Sequence, residues 1–151
     1  MMAPDVNVLL YAFREESDRH AHYRRWVETA LGGPEPVGLF EPVLAAVVRI
    51  ATHPGIYRIP APRKTVERFL DTCLAGPASR PMRPEARHWS LFRELCERAD
   101  CRGNLVQDAY LAALALEHNC TFVTTDRDFS RFPRLRWQHP LDQDRPTQNP
   151  A

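Results

Sequence analysis

At 151 residues and 44% apolar composition, the chain is long enough to bury an ordinary core within one domain. A formal net charge of +1 announces no nucleic-acid partner by bulk charge. Met1-Met2-Ala3-Pro4 runs directly into an acid and a short apolar stretch, and no run approaches the ~20 apolar residues of a membrane span, so a cytoplasmic protein is expected.

Residues 2–4 form an extended entry, a short strand in context, and Val6 to Phe13 can form a helix with Asp5 as its N-cap. Ser17 or Asp18 begins a second helix, whose apolar face is Tyr23, Trp26, Val27 and Leu31 and which Gly32-Gly33 ends. Residues 36–40 are a buried strand, and Glu41-Pro42 starts a helix with Pro in its first turn. Arg63 to Ala75 is amphipathic, with Val66, Phe69, Leu70, Cys73 and Leu74 inward. Pro81 to Pro84 is loop or a short edge strand. Glu85 to Arg98 is helical with Trp89, Phe92, Leu95 and Cys96 on one side. Asn104 caps a long helix reaching His118. Cys120 to Thr124 is a strand by its β-branched and aromatic content, and 134–137 is a last short strand. A domain over 1–140 is followed by a polar, Pro-containing tail, 141–151, expected to be disordered. Short strands alternating with helices predict an α/β fold with a mostly parallel sheet.

None of the four cysteines makes a Cys-x-x-Cys pair, which predicts reduced, mostly buried thiols. Lys64 is the only lysine. Arginine suits bidentate phosphate contacts, but a GC-rich genome enriches it equally well. Gly-x-Ser-x-Gly, phosphate-cradling and dinucleotide glycine motifs are all missing.

Four acids stand beside apolar runs: Asp5, Glu41, Asp108 and Asp126. Asp5 follows the first strand, Glu41 the second and Asp126 the strand near 121–124, and ligands of parallel sheets bind beyond the carboxyl ends of strands. Each of these three also has a structural explanation, as a cap, a first-turn acid or a turn residue. Asp108 lies inside a helix on the stripe of Leu105 and Ala112, where a lone carboxylate needs an arginine or a cation. Brought together, such acids repel one another, and a hard divalent cation, Mg²⁺ or Mn²⁺, relieves the repulsion.

Residues 4–12, 41–54, 104–118 and 121–129, taken in order, closely resemble PIN-domain ribonucleases, in particular VapC-type toxins of bacterial type II toxin–antitoxin systems. The resemblance implies a three-layer α/β/α sandwich with a central mostly parallel sheet, and a Mg²⁺- or Mn²⁺-dependent endoribonuclease. It also implies a homodimer, a VapB-type antitoxin partner, and structured RNA such as tRNA or ribosomal RNA as substrate. Asp5, Glu41, Asp108 and Asp126 match the family's acidic quartet. Asp5 and Asp108 match direct metal ligands, Asp126 a further ligand, and Glu41 a position for water or a second metal. Asn7 and Thr125 match polar positions that orient carboxylates, and Asp128 an auxiliary acid. Phe40 departs from the Ser or Thr that many relatives carry before the glutamate. Arg14, Arg19, Arg102, Arg127 and Arg131 are the candidates for holding RNA phosphates. A PIN nuclease of housekeeping RNA processing and an inactive RNA- or protein-binding domain are the rival readings.

Overall fold

The computed structural model describes residues 1–142 and 147–151. Among the described residues six strands form one sheet: β1 (Met2–Pro4), β2 (Val37–Phe40), β3 (Ser79–Met82), β4 (Thr121–Val123), β5 (Arg136–Gln138) and β6 (Thr147–Gln148). Their spatial order is β3-β2-β1-β4-β5-β6. All neighbours run parallel except β6, which is antiparallel to β5. The chain leaves β1 in one direction to build β2 and β3, then returns across the sheet to place β4 on the other side of β1. The order therefore reverses between β1 and β4, where parallel sheets open a crevice at their carboxyl ends.

The described residues include six α-helices, which fill the crossovers: α1 (Val6–Phe13), α2 (His20–Gly32), α3 (Glu41–Ala51), α4 (Arg63–Leu74), α5 (His88–Arg98) and α6 (Asn104–Glu117). The helices α1 to α4 pack on one another, and α5 packs on α6. Right-handed crossovers that reverse direction put these two groups on opposite faces, which gives the expected α/β/α sandwich. Its core includes Leu9, Leu39, Phe40, Val47, Leu95, Leu114, Phe122 and Phe129, all essentially inaccessible. Small residues let α6 lie against the sheet, since Ala109, Ala112, Ala113 and Ala115 are fully buried.

Several boundaries differ from expectation for local reasons. Helix α2 starts from Arg19, in a left-handed conformation with φ 55°, after Ser17 and Asp18 have been used in a turn. Gly103, at φ 57°, precedes α6, so Asn104 is its first residue and not its cap. The Glu117 carboxylate accepts the backbone N–H groups of Glu85 and Arg87, both at 2.9 Å, which holds that segment out of α5 until His88. His88 takes the inward place expected of Trp89: it stacks on Phe92 and donates its Nε2–H to the Tyr110 carbonyl, while Trp89 is 64% exposed. The edge strand comes earlier than expected, at Ser79–Met82, and Pro81 is tolerated in it because the strand has only one neighbour. All four cysteines are free thiols; Cys73 and Cys120 are buried, whereas Cys96 and Cys101 are half-buried.

The largest departure is at the C-terminus, where a disordered tail was expected from Leu141. Thr147–Gln148 form β6 instead. Asn149 is buried, with its side chain donating to the carbonyls of Phe129 and Phe132 and accepting from the Trp137 indole. Polar composition misleads here because one polar side chain, Asn149, satisfies the core's backbone rather than solvent. The remainder of that expectation, residues 143–146, lies outside the described residues.

Candidate active site

The β1–β4 register pairs Pro4 with Val123, so the next residues, Asp5 and Thr124, face one another across the crevice. Asp5 is 5% exposed. One carboxylate oxygen accepts the Val6 N–H at 2.7 Å as the N-cap of α1. The other accepts the Thr124 hydroxyl at 2.7 Å. Asp5 is thus both a cap and a candidate site acid, and the two roles use different oxygens. Burial is the larger influence on it: desolvation, aided by the nearby Asp126 charge, outweighs both hydrogen bonds and lifts the carboxyl to about 6. Holding that charge at neutral pH costs about 3 kcal/mol at ~1.4 kcal/mol per unit.

Thr124, completely buried, is the residue that sequence reasoning missed. Its hydroxyl donates to Asp5 and accepts the Asp126 N–H at 3.0 Å. One side chain therefore sets the positions of two acids that enter from neighbouring strands. Thr125, the neighbour expected in that capacity, is half-buried. The available signal was position: a polar β-branched residue directly after Val123, at the carboxyl end of a strand that is buried throughout and adjoins β1. Asp126 then opens a 3-10 turn, Arg127–Arg131, by accepting the Asp128 N–H at 2.8 Å.

Asp108 reaches the same region from the second turn of α6. It is half-buried, and no arginine pairs with it among the described residues. Desolvation first, then the charges of Asp126, Asp5 and Asp128, raise its carboxyl to about 6. Four aspartates thus share one field of negative charge. Glu41 does not join them: it is exposed at the start of α3 and pairs with Arg83 at 2.7 Å. The expected convergence of Asp5, Glu41, Asp108 and Asp126 is accordingly incomplete. Like charges stand apart, and the glutamate has turned to the nearest cation. Among the described residues no three His, Cys, Asp or Glu side chains are gathered closely enough to hold an ion outright. The donor chemistry nevertheless fits Mg²⁺ or Mn²⁺: the titrating neighbours are carboxylates, and two of them are raised by burial first and then by like charge that nothing among them balances.

Asn7 lies half-buried in the first turn of α1, close in sequence to Asp5. Of the arginines, Arg14 is not free to meet a ligand. It is 8% exposed, donates to the carbonyls of Ala51 and Ile59, pairs with Glu16, and stacks over the Tyr57 ring at 3.6 Å. Arg19, Arg102, Arg127 and Arg131 are exposed, Arg102 beside Asp100 and Arg131 beside Asp128. An apolar groove of about 760 Å³ lies elsewhere, between α2 and α4, bordered by Phe13, Val27, Leu31, Ile59 and Phe69. None of Asp5, Glu41, Asp108 and Asp126 lines it, so it is not the chemical centre.

The model of the PIN domain family matches residues 2–135. Ribonuclease VapC43 of Mycobacterium tuberculosis is 44% identical over 142 residues, covering 94% of this chain and 97% of that protein. Ribonuclease VapC31 of the same organism is 39% identical over 140 residues, 93% of this chain and 99% of its own length. Among solved structures, VapBC2 from Rickettsia felis bound to a promoter DNA fragment superposes with a TM-score of 0.68 at 20% identity, over 91% of this chain and 97% of that one. At that identity the likeness concerns the fold.

Proposed function

The chain belongs to the PIN-domain family, and from that premise we propose that it is an endoribonuclease of the VapC toxin type. The observation that carries this reading is the shared field of Asp5, Asp108 and Asp126 at the crevice between β1 and β4, with two carboxyls lifted to about 6 by burial and mutual repulsion. Asp5 and Asp108 would hold Mg²⁺ or Mn²⁺ directly, with Asp126 beside them. A bound divalent cation supplies Lewis-acid chemistry, a more acidic water and a counter-charge for phosphoryl oxygens. The chain's own contribution is positional. Thr124 and the Val6 N–H fix both oxygens of Asp5, and Thr124 also fixes the backbone of Asp126. Glu41 orients water or a second ion once released from Arg83. Asn7, Thr125 and Asp128 support the carboxylates around them.

The substrate in this reading is a structured RNA, which sets the place of action in the cytoplasm. Arg19, Arg102, Arg127 and Arg131 would meet its phosphates; such contacts position without specifying sequence. The partners are a second copy and a VapB-type antitoxin, for whose amphipathic segment the groove between α2 and α4 is suited. Among the described residues no helix is long and apolar enough to cross a membrane. The nuclease unit is the expected 1–140 together with the strand Thr147–Gln148 and Asn149, which complete its sheet and core.

The test is cleavage of tRNA and ribosomal RNA by the purified chain with Mg²⁺ or Mn²⁺, with and without EDTA, beside Asp108→Asn. Cleavage should require the cation and fall by about a hundredfold or more in the variant. Metal-independent cleavage, or a fully active variant, overturns the proposal.

A further inference from the structure

Helix α5 ends in a Schellman turn. The Cys101 N–H donates back to the Cys96 carbonyl at 2.9 Å, and the Asp100 N–H donates to the Glu97 carbonyl at 3.3 Å. Asp100 supplies the left-handed residue, at φ 46°, that this turn requires and that glycine usually provides. Such a turn folds the chain back so that the residue two beyond the cap touches the residue three from the helix end. That contact is usually between two apolar side chains. Here both positions are cysteine, and the Cys101 thiol folds back onto the end of the helix, where it reaches the Leu95 carbonyl at 3.9 Å.

We propose that Cys96 and Cys101 are a reversible disulfide pair that tethers the corner between α5 and α6 and thereby tunes the acid carried by α6. The pair is reachable. Both residues are half-buried, in contrast to buried Cys73 and Cys120, and Cys96 borders an open depression with Phe92, Arg93 and Glu97. The backbone already joins the two positions, so the bond closes a short loop whose ends are in contact and needs little chain movement. Hydrogen peroxide is the oxidant. One thiolate sulfur attacks a peroxide oxygen and the second oxygen leaves as water after protonation, giving a sulfenic acid. The second sulfur attacks the first and expels another water, so two thiols and one peroxide become a disulfide and two waters. Burial, the adjoining Cys96 thiol and the Asp108 charge hold the Cys101 thiol up at about 11, so the pair reacts slowly at neutral pH and faster in alkali.

The same sensitivity of Cys101 to Asp108 shows how near the pair lies to the acidic field. Among the described residues no three acids there are gathered closely enough to hold an ion, so in the nuclease reading ion binding would draw Asp108, and α6 with it, toward Asp5 and Asp126. A covalent tether just before Asn104 restricts that adjustment. This regulatory consequence rests on the nuclease reading; the disulfide itself does not.

The purified chain is treated with hydrogen peroxide at pH 7 and pH 9, alkylated, and digested with trypsin. Cleavage after Arg93, Arg98 and Arg102 leaves Cys96 and Cys101 on separate peptides. The expected product is those two peptides joined, more rapidly at pH 9, and parted by dithiothreitol. Cys96→Ser and Cys101→Ser each abolish it, while Cys73 and Cys120 remain alkylatable after denaturation. Recovery of Cys96 and Cys101 as separate thiols or sulfonic acids overturns the pair. Oxidised chain should cleave RNA about fivefold or more slowly than the same sample after dithiothreitol, with both serine variants indifferent. Equal rates overturn the tuning. A reduced chain that cleaves no RNA refutes the nuclease reading instead, and the joined peptides still decide the disulfide.

Discussion

Thr124 spends one hydroxyl on two acids. Its proton goes to Asp5 and its lone pair receives the Asp126 N–H, so the distance between β1 and β4 is transmitted to the carboxylates through a single oxygen. Valine has nearly the same shape and neither function. Thr124→Val should leave a buried carboxylate oxygen without its donor and destabilise the chain by about 1–3 kcal/mol, measurable by urea unfolding. It should also raise Asp5 further, since that hydrogen bond is the largest influence holding it down. The ascending limb of the pH–rate profile for RNA cleavage then moves to higher pH, whereas Thr124→Ser restores it. A profile unchanged in the valine variant would show that the hydroxyl serves packing alone.

At the scale of elements, the strap formed by β6 and Asn149 holds the turn that follows Asp126. Asn149 satisfies two carbonyls of that turn and the Trp137 indole, while its own backbone N–H donates to Leu135 at 3.0 Å. Removing residues 147–151 exposes Phe129 and Phe132 and orphans their carbonyls. The truncated chain should lose about 2–4 kcal/mol of stability, and Asn149→Leu about 1–3 kcal/mol, because a buried carbonyl without a partner carries its full desolvation cost. Unfolding midpoints equal to the parent's would refute the strap. Its invisibility in the sequence is instructive. The helices α1, α3, α4 and α6 follow from apolar spacing and proline or glycine punctuation; of the strands, the one before Asp126 follows from its β-branched and aromatic residues, the one before Glu41 from its apolar run, and the one before Asp5 only from context. What was not legible depends on partners far away in sequence. Asn149 finds carbonyls some twenty residues back, Glu117 reaches the backbone of Glu85 and Arg87, and Glu41 meets Arg83. Polar residues are promiscuous, so composition indicates that they will bond but not to what.

For the molecule as a whole, the acidic field makes stability rise as pH falls below neutral, opposite to the usual behaviour of paired carboxylates. Asp5 and Asp108 sit at about 6 in the folded chain against 3.8 when unfolded. Below 3.8 both states are protonated and the acids cost nothing. Between 3.8 and 6 the folded chain holds protons that the unfolded chain has released, so stability falls as pH rises, and above 6 the penalty is complete. For Asp5 alone that penalty is about 3 kcal/mol, of which roughly half is recovered at pH 5. Calorimetry in EDTA should therefore show a higher midpoint at pH 5.5 than at pH 7.5. Asp108→Asn should raise the midpoint at pH 7.5, at about 2–4 °C per kcal/mol for a chain of this length, and the gain should shrink toward pH 5. Adding Mg²⁺ at pH 7.5 should stabilise the parent and not the variant, because an ion that binds only the folded state adds its binding free energy to stability. The same substitution thus makes the chain more stable and less active. A variant less stable than the parent at pH 7.5 in EDTA would mean that Asp108 is held by contacts worth more than its repulsion, and the acidic field would not be the strained centre of this fold.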